Sequence, residues 1–183
     1  MSHINWSDWR VSNDKPLDLS AMPTLPATHT EAEKWQWSAR MTELAEQLNR
    51  LQATLHASKT RALLLVLQGM DTAGKDGCIR SVFAHISPLG VRAEAFGVPQ
   101  ALEQQHDFLW RIHAKTPALG EMVIFNRSHY EDVLVPVVNG WITPEQTQQR
   151  YAHINDFERL LVETGTTVLK FMLHISKEEQ RVR

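Results

Sequence analysis

A chain of 183 residues, 43% apolar and 22% charged, holds enough apolar material for one domain with a real core and lacks the bias of a disordered or fibrous sequence. Its formal charge of −2 excludes a global attraction for nucleic acid or an anionic membrane, so a polyanionic partner has to be met by a local cluster of cations. The single cysteine excludes an internal disulfide, and with no signal-peptide core or membrane-spanning apolar run the expected location is the cytoplasm.

Residues 1–30 are polar and punctuated by Pro16, Pro23 and Pro26, and read as an irregular N-terminal arm packed by Trp6, Trp9 and Leu17. Thr30 with Glu33 makes a capping box that opens a helix. Met41, Leu44, Leu48, Leu51 and Leu55 then recur at steps of three and four, predicting an apolar stripe packed on the domain body, with Trp35 and Trp37 beside it. Arg61 to Gln68 is apolar almost throughout, the pattern of a parallel strand covered on both faces. After a glycine-bounded loop a helix is predicted from Gly74 to Ile86, stopped by Pro88 and Gly90.

A second strand is expected over Val91 to Phe96, a helix over "EQQHDFLWRIHAK", and a third buried strand over Glu121 to Asn126. Thr143, Pro144 and Gln146 supply an N-cap, a first-turn proline and a reciprocal cap for a helix that ends at Gly165. Thr166 to Leu173 is the fourth strand. Ser176 and Glu179 open a last helix at Lys177 that carries only Val182 as an apolar residue before Arg183, so a continuation is expected. Strands alternating with helices predict a parallel α/β sheet, with residues 31–183 as its domain.

The segment "GMDTAGKD", Gly69 to Asp76, fits the frame of Gly, four residues, Gly and Lys. Glycines let successive N–H groups turn inward on phosphate oxygens, and the following helix adds its positive end. Gly69, Met70, Asp71, Thr72, Ala73, Gly74, Lys75 and Asp76 are therefore the expected phosphate-binding residues, with Lys75 as the point charge on the transferring group. Asp76 stands where a Ser or Thr hydroxyl normally meets magnesium. Asp71 is the natural replacement ligand, since magnesium takes few protein oxygens; Asp76 is left to assist the metal or to orient Lys75 or an arginine. At the carboxyl end of the third strand, "IFNRSHYED" offers Asn126 and Glu131 as further metal candidates and Arg127 as a fork of donors for a phosphoryl group.

Together "LLLVLQGMDTAGKDG", "HDFLWRIH", "FNRSHYEDVLV" and "HISKEEQ" resemble the type-2 polyphosphate kinase family, in the branch that reads NRSHYED, from about Trp9 to Arg183. The resemblance implies a P-loop kinase-like parallel sheet flanked by helices, and magnesium-dependent transfer between inorganic polyphosphate and the adenine nucleotides AMP, ADP and ATP. It places the residues matching Asp71 and Asn126 around the metal and those matching Lys75 and Arg127 on the phosphates. Family members continue into a basic lid and a last strand, so both are expected to be missing here. The sequence departs from the family at Gly97, where a lysine is common.

Lys75, Arg127 and Asp71 are thus the expected catalytic residues. Two rival readings remain: a nucleoside-monophosphate kinase of thymidylate-kinase type using ATP, and a non-catalytic phosphate- or nucleotide-binding domain. Arg111 and Lys115, four apart, are read as solvated charges before a polyanion groove, and Arg80 is equally open. Cys78 is read as packing. His106, His113, His129, His153 and His174 lack metal spacing and are expected in packing or on the surface, and Trp110 and Tyr151 in the core or in a contact of a homo-oligomer.

Overall fold

The computed structural model describes residues 9–11, 17–24 and 31–183. Trp6, Pro16, Pro26 and the Thr30 end of the first capping box lie outside these residues. Four strands, β1 (Ala62–Gly69), β2 (Val91–Ala95), β3 (Met122–Asn126) and β4 (Thr166–Leu173), form a parallel sheet in the order β2-β3-β1-β4. β1 pairs on both sides, Leu65 standing between Ile124 and Leu169. Its side chains alternate faces, so two cores form. Leu64 and Val66 pack with Phe96, Ile112, Val123, Phe125, Phe157 and Leu161 on one face, and Leu65 and Leu67 with Met122 and Ile124 on the other.

The second face is covered by α1 (Glu31–Ser58) and α2 (Lys75–Phe83), through Leu48 and Leu55 from the first and Cys78, Ile79 and Phe83 from the second. The buried line of α1 is rotated from the expected stripe. Ala45 and Gln52 are buried, Leu44, Leu48 and Leu55 half-buried, and Met41, Leu51 and Trp35 exposed. Polar tertiary bonds select this face: Gln52 donates to Leu89 O and Asn49 Oδ1 accepts from Ser87 N, tying the helix to the turn before β2.

On the first face lie α3 (Trp110–His113) and α5 (Pro144–Glu163). The cap of α5 forms as expected: Thr143 Oγ1 accepts from Gln146 N (3.2 Å), and Gln146 Oε1 from Thr143 N (2.8 Å). Gly165 follows its end at φ 101°. By contrast, the helix expected over residues 103–115 is broken into a 3-10 turn at Glu103–Gln105 and the four residues of α3. Asp107 Oδ1 accepts from Leu109 N (3.0 Å), a local bond that competes with helix continuation.

Sequence reasoning also missed α4 (Glu131–Val138), which carries Pro136 inside it. Proline cannot donate to the carbonyl four residues back, Asp132 O. Arg150 Nη1 donates to that carbonyl instead, so the helix survives its proline. The last helix, α6 (Lys177–Val182), starts at the predicted cap, with Ser176 Oγ accepting from Glu179 N (3.1 Å). No helix of the described residues is long and apolar enough to cross a membrane.

Candidate functional site

β1 ends at Gly69, and the loop to α2 leaves from the sheet's carboxyl edge, where parallel α/β sheets place their ligands. Gly69 is required by space: a Cβ there would stand 2.8 Å from Leu173 O and 3.0 Å from Ala73 Cβ. Within the loop Thr72 (φ 65°) and Gly74 (φ 96°) are both left-handed. Such turns gather amide hydrogens into an anion-binding concavity. No side chain caps the N-terminus of α2.

The carbonyls of this loop are engaged one after another. Lys75 Nζ donates to Gly69 O (2.8 Å) and Met70 O (3.0 Å), Gln180 Nε2 to Asp71 O (3.1 Å), and Arg183 Nη1 to Thr72 O (3.3 Å). Donors from α2, from α6 and from Arg183 after it thus neutralise the negative ends of the loop's peptide dipoles, leaving the start of α2 and the loop amides other than that of Ala73, which bonds Met70 O (3.1 Å), to set a positive field. Lys75 itself is buried. The cation is therefore fixed beneath the loop.

Arg127 follows β3 at φ 64°, a left-handed conformation that costs a non-glycine residue about 1–2 kcal/mol. Its amide donates to Leu67 O (3.0 Å) and its Nη2 to Asp71 Oδ1 (2.7 Å), so the guanidinium reaches the loop. Asp71 is well exposed in this pair, and exposed pairs are worth only ~0–1 kcal/mol. The arginine can exchange that carboxylate for a phosphate oxygen at little cost. Asn126 Nδ2 donates to Asp76 Oδ1, so Asp76 turns toward the end of β3, and among the described residues no ion pair joins it to Lys75 or an arginine. Glu131 Oε1 accepts from Gln68 Nε2 (3.2 Å) at the end of β1.

Asp71, Asn126 and Glu131, the residues singled out for metal, thus project from three neighbouring segments of one sheet edge, each with a protein partner. Among the described residues no trio of His, Cys, Asp or Glu is gathered for a metal. Asp71 nonetheless offers an exposed hard oxygen on this loop, and that suits an ion taking one or two protein oxygens with the rest from phosphate and water.

Beside the loop, a groove of about 410 Å³ is lined by Asp76, Arg80, Asn126, Glu94 and the end of β2. Arg111 and Lys115 do not share a groove face. Arg111 is buried, bound to Asp132 Oδ2 (3.0 Å) and Gly97 O (2.9 Å), while Lys115 pairs with Glu94 (3.2 Å). Trp110 stacks on His106 at 4.2 Å and stays partly exposed, as does Tyr151, so neither is core. Cys78 packs as expected, and burial pushes its thiol pKa up.

One cluster escaped the sequence. His129 is fully buried, and its Nε2 lies 3.1 Å from Glu158 Oε1. That oxygen also accepts from Tyr130 Oη (3.0 Å), and Lys170 Nζ donates to Glu158 Oε2 (2.6 Å) and Tyr130 Oη (3.0 Å). The available signals were Lys170 as the lone charge in the run "TTVLKFML" and Glu158 beside the apolar Phe157. Burial pushes the Glu158 carboxyl up, but hydrogen bonds from His129 and Lys170, the Lys170 charge and the Tyr130 hydroxyl outweigh it and bring the pKa from 4.5 to about 2. A depressed carboxyl contributes stability above its unfolded pKa and loses it as pH falls toward the folded one. The stability gap between the wild type and Glu158→Gln should therefore be full near neutral pH. It should shrink by about 1–2 kcal/mol between pH 4.5 and about 2, as read by denaturant unfolding across that range. A gap that stays constant would show the carboxylate to be unpaired in solution.

Comparison with known proteins adds to this geometry. The family model described as polyphosphate kinase 2 matches residues 31–183. An AMP/ADP-polyphosphate phosphotransferase of Meiothermus ruber is 46% identical over 175 residues, 96% of this chain and 66% of that protein. An ADP-polyphosphate phosphotransferase of Rhodopseudomonas palustris is 38% identical over 192 residues, 98% of this chain and 66% of that one. The crystal structure of polyphosphate kinase 2 from Arthrobacter aurescens superposes with a TM-score of 0.89 at 40% identity, covering 97% of this chain and 64% of that chain. The chain thus spans about two thirds of the length of the relatives it matches.

Proposed function

The chain belongs to the polyphosphate kinase 2 family, and from that premise we propose that it moves phosphoryl groups between inorganic polyphosphate and AMP or ADP, with magnesium as its ion. The observation that carries the reading is the meeting, at one loop, of a buried lysine with an arginine that reaches in from β3. Both cations bind this loop, Lys75 through the carbonyls of Gly69 and Met70 and Arg127 through the carboxylate of Asp71, which supports their meeting the oxygens of a condensed phosphate. The names of the relatives, which specify polyphosphate together with AMP or ADP, supply the substrate class.

In the forward direction an ionised phosphate oxygen of the nucleotide attacks the terminal phosphorus of the chain in line. The P–O–P bond breaks, and the shortened polyphosphate leaves with the electron pair. No base is needed, because the attacking oxygen is already ionised near neutral pH. The loop amides and Lys75 hold the chain, and Arg127 meets the charge spread over the moving group. Asp71, with Asn126 and Glu131 as further candidates, would hold magnesium, and the ion would supply neutralisation of phosphate charge when bound. The exposed apolar surface of Trp141 and Val138 on the α4 side supports assembly into a homo-oligomer.

The test is a donor comparison. Polyphosphate with AMP or ADP should yield the next higher nucleotide, and ATP with other monophosphates should yield none. Transfer that requires ATP and ignores polyphosphate would make the chain a nucleoside-monophosphate kinase, and binding without turnover would make it a binding domain. Replacing Asp71 by Asn should raise the magnesium concentration needed for half-maximal rate by about tenfold or more. An unaltered metal titration would place the ion elsewhere.

A further inference from the structure

The left-handed turn at Arg127 is bound on its amino side by its own amide, which donates to Leu67 O. On its carboxyl side it runs directly into Ser128 and His129, both fully buried. Ser128 closes the turn locally, its Oγ accepting from Tyr130 N (3.2 Å) and its carbonyl from Glu131 N (3.0 Å). His129 and Tyr130 then bind Glu158 of α5, and Glu158 binds Lys170 of β4, which stands beside Val66 of β1 in the sheet. The ring of His129 also packs edge-on against Phe157, with centroids 5.7 Å apart.

One carboxylate thus joins the turn after β3, the helix α5 and the strand β4, starting two residues from Arg127. None of the four side chains takes part in the proposed transfer. A strained backbone conformation persists only where its surroundings over-determine it. We propose that Glu158 is a positioning residue: through His129, Tyr130 and Lys170 it holds the turn that aims the Arg127 guanidinium at the phosphate loop. This rests on the reading of Arg127 as a phosphate contact, and it assigns the aim of that contact to a cluster outside the loop.

A cluster that merely stabilises the fold would depress activity whatever residue stands at 127, whereas a positioning device acts only through Arg127. The test is a double-mutant cycle on the full chain. Glu158→Gln should lower kcat/KM for polyphosphate-driven phosphorylation by about tenfold, with the nucleotide KM changed less than about twofold. In the Arg127→Ala background the same change should cost less than about twofold. Equal losses in both backgrounds, or no loss in the first, would overturn the proposal. Tyr130→Phe, which removes one hydroxyl donor, repeats the cycle with a smaller effect should Glu158→Gln fail to fold.

The same cycle read as tripolyphosphate affinity by calorimetry separates this inference from the proposed activity. Binding without turnover removes the activity, while non-additive losses in affinity still support the positioning role. A chain that neither turns over nor binds tripolyphosphate overturns both.

Discussion

Replacing Lys75 by Ala is expected to lower phosphoryl transfer by about a thousandfold or more, with little loss of stability. The ammonium is buried under the loop it serves and bonds two of that loop's carbonyls, so its charge acts at short range where water screens it poorly. α2 opens on Lys75, so the helix's first turn fixes the lysine's stem beneath the loop. The loop keeps the left-handed residues Thr72 and Gly74 and its ties to α6 without the lysine, so the defect should be chemical. Steady-state assays with polyphosphate, together with thermal unfolding, check both halves of this expectation. Transfer that survives the substitution would remove Lys75 from the mechanism.

Arg127→Ala should cost about a hundred- to a thousandfold in kcat, with a smaller change in nucleotide KM. The argument is differential: the guanidinium holds an exposed aspartate in the structure, a weak contact, and gains its strongest partner only when charge spreads over the moving phosphoryl group. Alanine should also relieve part of the left-handed strain at this position less well than glycine would. Arg127→Gly should therefore be the more stable variant and as inactive as the alanine one. Equal activity of wild type and Arg127→Ala would show that the pair with Asp71 is structural.

The sheet and the glycine-bounded loop after β1 were legible because their signals are local. β1 is a continuous apolar run, and the glycine spacing of Gly69 and Gly74 is a backbone requirement that any reader of the sequence meets. Elements decided by distant polar contacts were not legible. Residues 103–115 carry helical periodicity, yet Asp107 bonds forward to Leu109 and breaks them. α4 hides behind Pro136, and the Asp132 carbonyl that the proline leaves without a donor is satisfied by Arg150 from the next helix. The pairing of Asp76 with Asn126 spans 50 residues, and that of Tyr130 with Glu158 spans 28, so no spacing rule announces either. At the loop, the sequence pointed to Asp71, Lys75, Asp76 and Arg127 but not to their partners, and it did not point to Arg183.

The nuclear magnetic resonance titration of the amides with tripolyphosphate and magnesium bears most directly on the central claim. If the bend between β1 and α2 is the phosphate cradle, the largest shift changes will fall on the amides of residues 70–76 and on Arg127 Nε, and they will vanish in Lys75→Ala. Shifts centred on another surface, or unchanged by the loss of that lysine, would contradict it.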